Sequence, residues 1–334
     1  MNKIIKIIAA GAFATASLIS TAAMAETLRM GLLVSNKALA FRAAEKFANH
    51  VNEATGGKYT VELFPSQQLG SGKEMMNMLK LGTLDFYQGT ATQPTYFESG
   101  KNFNALSAPY VFQNQDEFLK FLNSPLFGKM AKQFALGGAE IVGYMGSRSP
   151  RAITTANTPV RTPEDLKGLK MRVPGSPPFA AFFGAMGTVS TPMPFSEFFT
   201  SVKTGLVEGQ DNGIEVVYPR GLYEIQKYYS ITDHAFGAWM LFGGTAAMES
   251  WPDELKAAVA EGVKIASDFS DSELAAFMKE GFAGVKAKGM EVIEIDKGPF
   301  IEIAKSVWEK MEAEDMWDTG MMAEIQAQLD EYRN

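Results

Sequence analysis

In the stretch GLKMRVPGSPP, residues 168–178, a single arginine sits inside a short apolar run, and three prolines follow it within six residues. Arg172 is permanently charged, and its planar guanidinium can hold a carboxylate through two parallel hydrogen bonds. Leu169, Met171 and Val173 alternate with Lys170 and Arg172, so the two basic residues share the opposite face of a strand. That alternation alone also fits a half-exposed strand with its polar side in water. The prolines stiffen the chain just beyond Arg172, and a stiffened guanidinium is a better anion fork than a floppy one.

Other chemistries fail on residue type. The two histidines, His50 and His234, are isolated, there is no cysteine, and no metal-binding run occurs. LGSGKEMM looks superficially like a phosphate loop, but Gln67 stands where the first glycine belongs and Glu74 where a magnesium-binding hydroxyl belongs. The dinucleotide pattern fails at Met75. A helix start explains Gly70 and Gly72 without a ligand. No local carboxylate pair demands acid–base work. The expectation is therefore no catalytic residue, no metal and no cofactor.

The chain begins MNKIIKIIAAGAFATASLISTAAMA: a basic start, an apolar run and the small-x-small site Ala23-Met24-Ala25. This pattern predicts a secretory signal peptide over residues 1–25, cleaved after Ala25. Removing Lys3 and Lys6 from 31 basic residues leaves 29 against 38 acidic ones, a formal charge of −9. So acidic a protein is a poor candidate for nucleic acid or anionic lipid. A leader together with zero cysteines fits a bacterial periplasm. Without disulfides the chain must rely on core burial, and its length predicts two domains.

The elements that would position Arg172 follow from periodicity. Strands at 27–33, 59–64 and 84–87 alternate with helices at 38–54 and after the capping box Ser71-x-x-Glu74, a β-α-β-α-β pattern. A second set holds a strand at 140–145, a short helix opened by Thr162-Pro163, the Arg172 strand at 169–173, and a helix at about 196–204. A long helical stretch runs from Pro252 to Lys288, expected to cross both lobes and to bend or break near Ser270. The last 35 residues also read as helical.

DLKGLKMRVP at 165–174, TPMPFSE at 191–197 and TGLVEGQDN at 204–212 carry a resemblance. With LGSGKE, LKLGTLDF and APYVFQNQDEF in order before them, the chain resembles the substrate-binding subunits of tripartite ATP-independent periplasmic (TRAP) transporters, the DctP family. The resemblance implies an α/β, two-lobed periplasmic binding protein of type II-like form, with hinge strands and a long helix spanning both lobes. Lobe I would hold 26–149 plus about 235–275, and lobe II 150–234 plus about 276–334. It implies that Arg172 forms the main salt bridge to a substrate carboxylate, with Arg151 or Arg148 as the second cation and Asn212 as a hydrogen-bond partner. Asn212 in QDNG also fits a plain turn former. Trp239, Phe195 and Phe198 are candidates to pack on the apolar part of the ligand, with core packing the alternative for each. Glu74, closing LGSGKE, and Thr90 are the candidates from the first lobe. Some acidic-sugar binders of the family carry acidic residues near the places held here by Gly72 and Thr90. That favours a smaller anion, such as a C4-dicarboxylate, a keto or hydroxy acid, a sugar acid or a small sulfonate, over a large amine- or polyol-bearing ligand. The implied partners are the small and large membrane permease subunits. A monomer is expected, with a dimer through a terminal helix left open. The rival readings are an extracytoplasmic sensor lobe for the same anions, a secreted lyase or hydrolase, and a structural envelope protein.

Overall fold

The computed structural model describes residues 25–333. The expected signal peptide lies outside the described residues except for Ala25. Among the described residues no helix is long and apolar enough to cross a membrane, and no cluster of metal-ligating side chains forms.

The first lobe begins with β1 (Glu26–Leu32), α1 (Leu39–Ala54), β2 (Tyr59–Phe64), α2 (Gly72–Lys80) and β3 (Phe86–Thr90). The spacing of Phe41, Ala44, Phe47, Ala48 and Val51 predicts the inward stripe of α1; the helix buries the last four together with Ala43, and Phe41 is half-buried. Helices α3 (Gln115–Leu122) and α4 (Pro125–Ala135) follow and lead into β4 (Ala139–Ser147). The second lobe contains β5 (Ala152–Thr155), β6 (Lys170–Val173), α5 (Pro177–Ala185), β7 (Val189–Pro192), α6 (Phe198–Lys203), β8 (Gly209–Asn212), α7 (Ile214–Val217) and β9 (Tyr228–Ile231). The chain returns through β10 (Ala238–Gly244) and α8 (Thr245–Ser250). It then runs into α9 (Asp253–Ala287), β11 (Glu291–Glu294), α10 (Gly298–Ala313) and α11 (Met321–Arg333).

Two sheets result, ordered β2-β1-β3-β10-β4 and β11-β9-β5-β8-β6-β7. β1 runs parallel to β2 and β3, while β10 is antiparallel to β3 and β4. Two connections between strands cross from one sheet to the other, 148–151 and 232–237. They are tied together where Arg148 N donates to Gly237 O at 3.0 Å and Arg151 N to Ala235 O at 2.9 Å. These two paired connections form the hinge between the lobes.

The third crossing is α9. Leu255, Val259, Val263 and Ala266 pack into the first lobe's core, whereas Val285 packs into the second's. The helix is unbroken over 35 residues, so the expected break near Ser270 does not occur. Gly146 explains how the helix lies so close to β4. A Cβ there would sit 2.2 Å from Ser270 Oγ, and φ is +126°. The next residue, Asp271, accepts from the Ser147 backbone N–H and the Tyr144 hydroxyl, both at 2.7 Å.

The expected lobe division needs one correction at the C-terminus. Helix α10 does pack on α5 of the second lobe, but α11 packs on α3 of the first. Arg333 forks onto Glu117 with two bonds of 2.9 Å, and Ile325 and Leu329 are fully buried. Residues 321–333 therefore clasp the first lobe instead of completing the second.

Candidate functional site

A cavity of about 350 Å³ opens between the two sheets, at the lower end of the range for small-molecule sites. Its first-lobe wall comes from the start of α2 and the segment after β3. Its floor is the hinge, and its second-lobe wall comes from β6, β8 and the 193–195 turn.

Arg172 lies on this wall and is only 5% exposed. The half-exposed strand reading fails for Arg172, because the Met193–Phe195 turn covers its face; Lys170, two residues earlier, is exposed. Arg172 Nε and Nη2 both donate to Met193 O, at 3.0 and 2.9 Å. Its guanidinium carbon lies 5.4 Å from the Phe195 ring centroid. Burial lowers its pKa to about 10, with Asp211 opposing that shift, so it is charged at neutral pH. The prolines beyond it have a visible role. Pro177 opens α5, and Ser176, the residue before it, meets Ser107 of the first lobe, Oγ to Oγ, at 2.7 Å.

Both other candidate cations reach the cavity, and both are already neutralised. Arg148 donates to Glu215 Oε1 at 2.9 Å and to Asn212 Oδ1 at 3.1 Å, and it stacks on Trp239 at 4.6 Å. Arg151 donates to Asp211 Oδ2 at 2.5 Å and to Asp211 O at 2.6 Å, and it stacks on Phe179 at 4.9 Å. Burial pushes the Asp211 pKa up, but Arg151 and His234 outweigh it and hold the carboxyl well below the usual range. His234 bridges Asp211 at 3.2 Å and Thr232 at 2.8 Å, and burial depresses its pKa despite Asp211.

The remaining candidates separate clearly. Asn212, Thr90, Trp239 and Phe195 line the cavity. Phe198 does not. It is fully buried in the second-lobe core and supports Phe195 from behind at 6.0 Å. Glu74 also fails as a cavity residue. Its carboxylate accepts from the Ser71 backbone N–H at 2.6 Å while Glu74 N donates to Ser71 Oγ, the capping box that starts α2. Ser71 and Gly72, not Glu74, reach the cavity. Sequence reasoning missed Arg220, Glu215 and Tyr96, all on the cavity wall. Arg220 lies in a turn with no periodic signal, Tyr96 ends a four-residue 3-10 helix, Gln93–Tyr96, and Glu215 sits on the one-turn helix α7.

Cations converging on one cavity suit capture of an anion. The family description of the bacterial extracellular solute-binding proteins, family 7 (DctP), matches residues 30–315. The chain is 31% identical over 297 residues to a solute-binding protein of Roseobacter denitrificans, covering 87% of this chain and 89% of that one. It is 29% identical over 290 residues to the 2,3-diketo-L-gulonate-binding periplasmic protein of Escherichia coli, covering 86% of each. Its fold is similar to the crystal structure of a TRAP periplasmic solute-binding protein from a Sulfitobacter species with bound β-D-galacturonate. That match has a TM-score of 0.83 and 26% identity, and covers 90% of this chain and 98% of that one.

Proposed function

The chain belongs to the DctP family, family 7 of the bacterial extracellular solute-binding proteins, and from that membership we propose that it captures a small organic acid through Arg172 and delivers it to a TRAP membrane permease. The protein is a TRAP solute-binding subunit, and the family serves transport. The observation that carries the proposal is the state of Arg172. It is buried on the cavity wall, charged, and among the described residues has no carboxylate oxygen within 4.0 Å. A ligand carboxylate supplies the missing counter-ion.

In this mechanism the acid enters between separated lobes and its carboxylate pairs with Arg172. The hinge at 148–151 and 232–237 then folds the lobes together. Closure removes water, which strengthens each charge-assisted bond. Glu215 and Asp211 hold Arg148 and Arg151 in place, so Arg148 orients Asn212 and both arginines shape the floor. The closed form docks on the two permease subunits, in a periplasm reached through a leader cleaved after Ala25. Acids of six-carbon sugars, as in the Escherichia coli and Sulfitobacter relatives, and smaller keto, hydroxy or sulfonic acids are the candidates.

A thermal-shift screen against these acids, followed by calorimetry on the hits, tests the proposal. A saturable rise in melting temperature that Arg172→Ala removes supports it. No shift with any acid refutes it.

A further inference from the structure

Formal charge in the cavity wall does not cancel. Arg148, Arg151, Arg172, Arg220 and Lys73 line it. Glu215 answers Arg148 at 2.9 Å, and Asp211 answers Arg151 at 2.5 Å. Lys73 is exposed and its charge is solvated. That leaves Arg172 and Arg220. Among the described residues, neither has a carboxylate oxygen within 4.0 Å.

The two arginines share their kinds of partner but differ in depth: Arg172 is buried and Arg220 half-buried. Each donates to a backbone carbonyl, Arg172 to Met193 and Arg220 to Leu33. A neutral carbonyl satisfies a donor without cancelling the charge. Both stack on the same ring: their guanidinium carbons lie 5.4 and 5.3 Å from the Phe195 centroid. Leu33 follows β1 in the first lobe, whereas Arg220 and Phe195 belong to the second. Arg220 thus stands where the lobes meet, and its surroundings are complete only with the lobes together. Arg172 is held out of water and Arg220 partly so, and each is costly to hold there unless an anion joins it.

We propose that the cleft has two anion positions, Arg172 and Arg220, sharing Phe195 as a common wall, and that the ligand is a small dianion such as a dicarboxylate or a sulfonated carboxylate. This rests on the reading of the cleft as an anion site and narrows its ligand class. Galacturonate, bound by the Sulfitobacter relative, carries one carboxylate; here the wall offers charge for a second.

Matched pairs of acids test this, because a monoamide keeps the size of a diacid and removes one charge. The probes are succinate against succinamate and 2-oxoglutarate against 2-oxoglutaramate, with galacturonate alone as a single-charge reference. Calorimetry is run on the wild type, Arg220→Gln and Arg172→Ala, each first shown to melt cooperatively without ligand. The expected result is that at least one dianion binds the wild type about tenfold or more tighter than its singly charged partner. Arg220→Gln removes that preference, and Arg172→Ala loses both partners. If a monoamide or galacturonate binds as tightly as every dianion, or if Arg220→Gln keeps the preference, the second position is overturned while the Arg172 site stands. Binding of no acid at all would overturn both.

Discussion

Replacing Arg172 by alanine separates capture of the ligand from support of the fold. In the liganded form the guanidinium and carboxylate share a water-excluded cavity, so removing one partner leaves a desolvated charge. Such truncations cost roughly 2–5 kcal/mol, or about 30- to 4,000-fold in affinity. The unliganded protein should feel much less. Two hydrogen bonds to Met193 O are lost, each worth about 0.5–1.5 kcal/mol, together with a stack on Phe195 worth about 0.5–2 kcal/mol. Against this, the variant no longer buries a cation without a counter-ion, which alone costs several kcal/mol. These opposing terms nearly cancel. In a chain of this size, about 1 kcal/mol moves the melting temperature by roughly 2–4 °C. The expectation is a folded variant melting within a few degrees of wild type and showing no detectable binding by calorimetry. Arg172→Lys should recover part of the affinity, because it restores the charge but not the paired donors. Wild-type affinity in folded Arg172→Ala would refute the reasoning.

Other perturbations reach different parts of the structure. His234 is held neutral by burial in the fold, below the ordinary 6.5 of an exposed imidazole. Stability should therefore be fully present above about pH 6.5 and decline as the unfolded chain takes up the proton at lower pH. Melting curves between about pH 7 and 5 should show this decline, and His234→Gln should flatten it. Asp211, depressed in the fold from an ordinary 3.8, adds a separate loss only below about pH 4. Gly146→Ala should lower stability by about 1–3 kcal/mol, read by calorimetric melting, because alanine meets both a left-handed φ and the Ser270 hydroxyl. An unchanged melting temperature would mean that α9 does not press on β4 there. Glu74→Ala should leave ligand affinity unchanged by calorimetry and lower the melting point slightly, since its carboxylate caps α2. A large loss of affinity would return Glu74 to the site.

What the sequence made legible was local. The Ser71–Glu74 box announced α2, the 41/44/47/48/51 stripe announced α1, and Arg172 stood out as a cation inside an apolar strand before prolines. What escaped depends on distance along the chain. Arg220 reaches Leu33 across 187 residues, and Arg148 meets Glu215 across 67. No periodicity reports such meetings. Phe195 and Phe198 lie three residues apart in one helical turn, and only the packing of the second lobe sends one to the cavity and the other to the core. Likewise α11 reads as helical from its residues, but its seat on α3 depends on Glu117 waiting for Arg333. Alternation placed Arg172 on a polar face, yet the turn at 193–195 closes that face off from water.

A crystal structure with a bound acid, chosen as the tightest ligand of the thermal-shift screen, bears most directly on how the cleft works. The expected density lies between the two sheets, with carboxylate oxygens about 2.7–3.0 Å from the Arg172 guanidinium nitrogens and Arg172 still held by Met193 O. An acid bound elsewhere, or bound in the cleft with its carboxylate on other groups and Arg172 touching only Met193, would contradict the account.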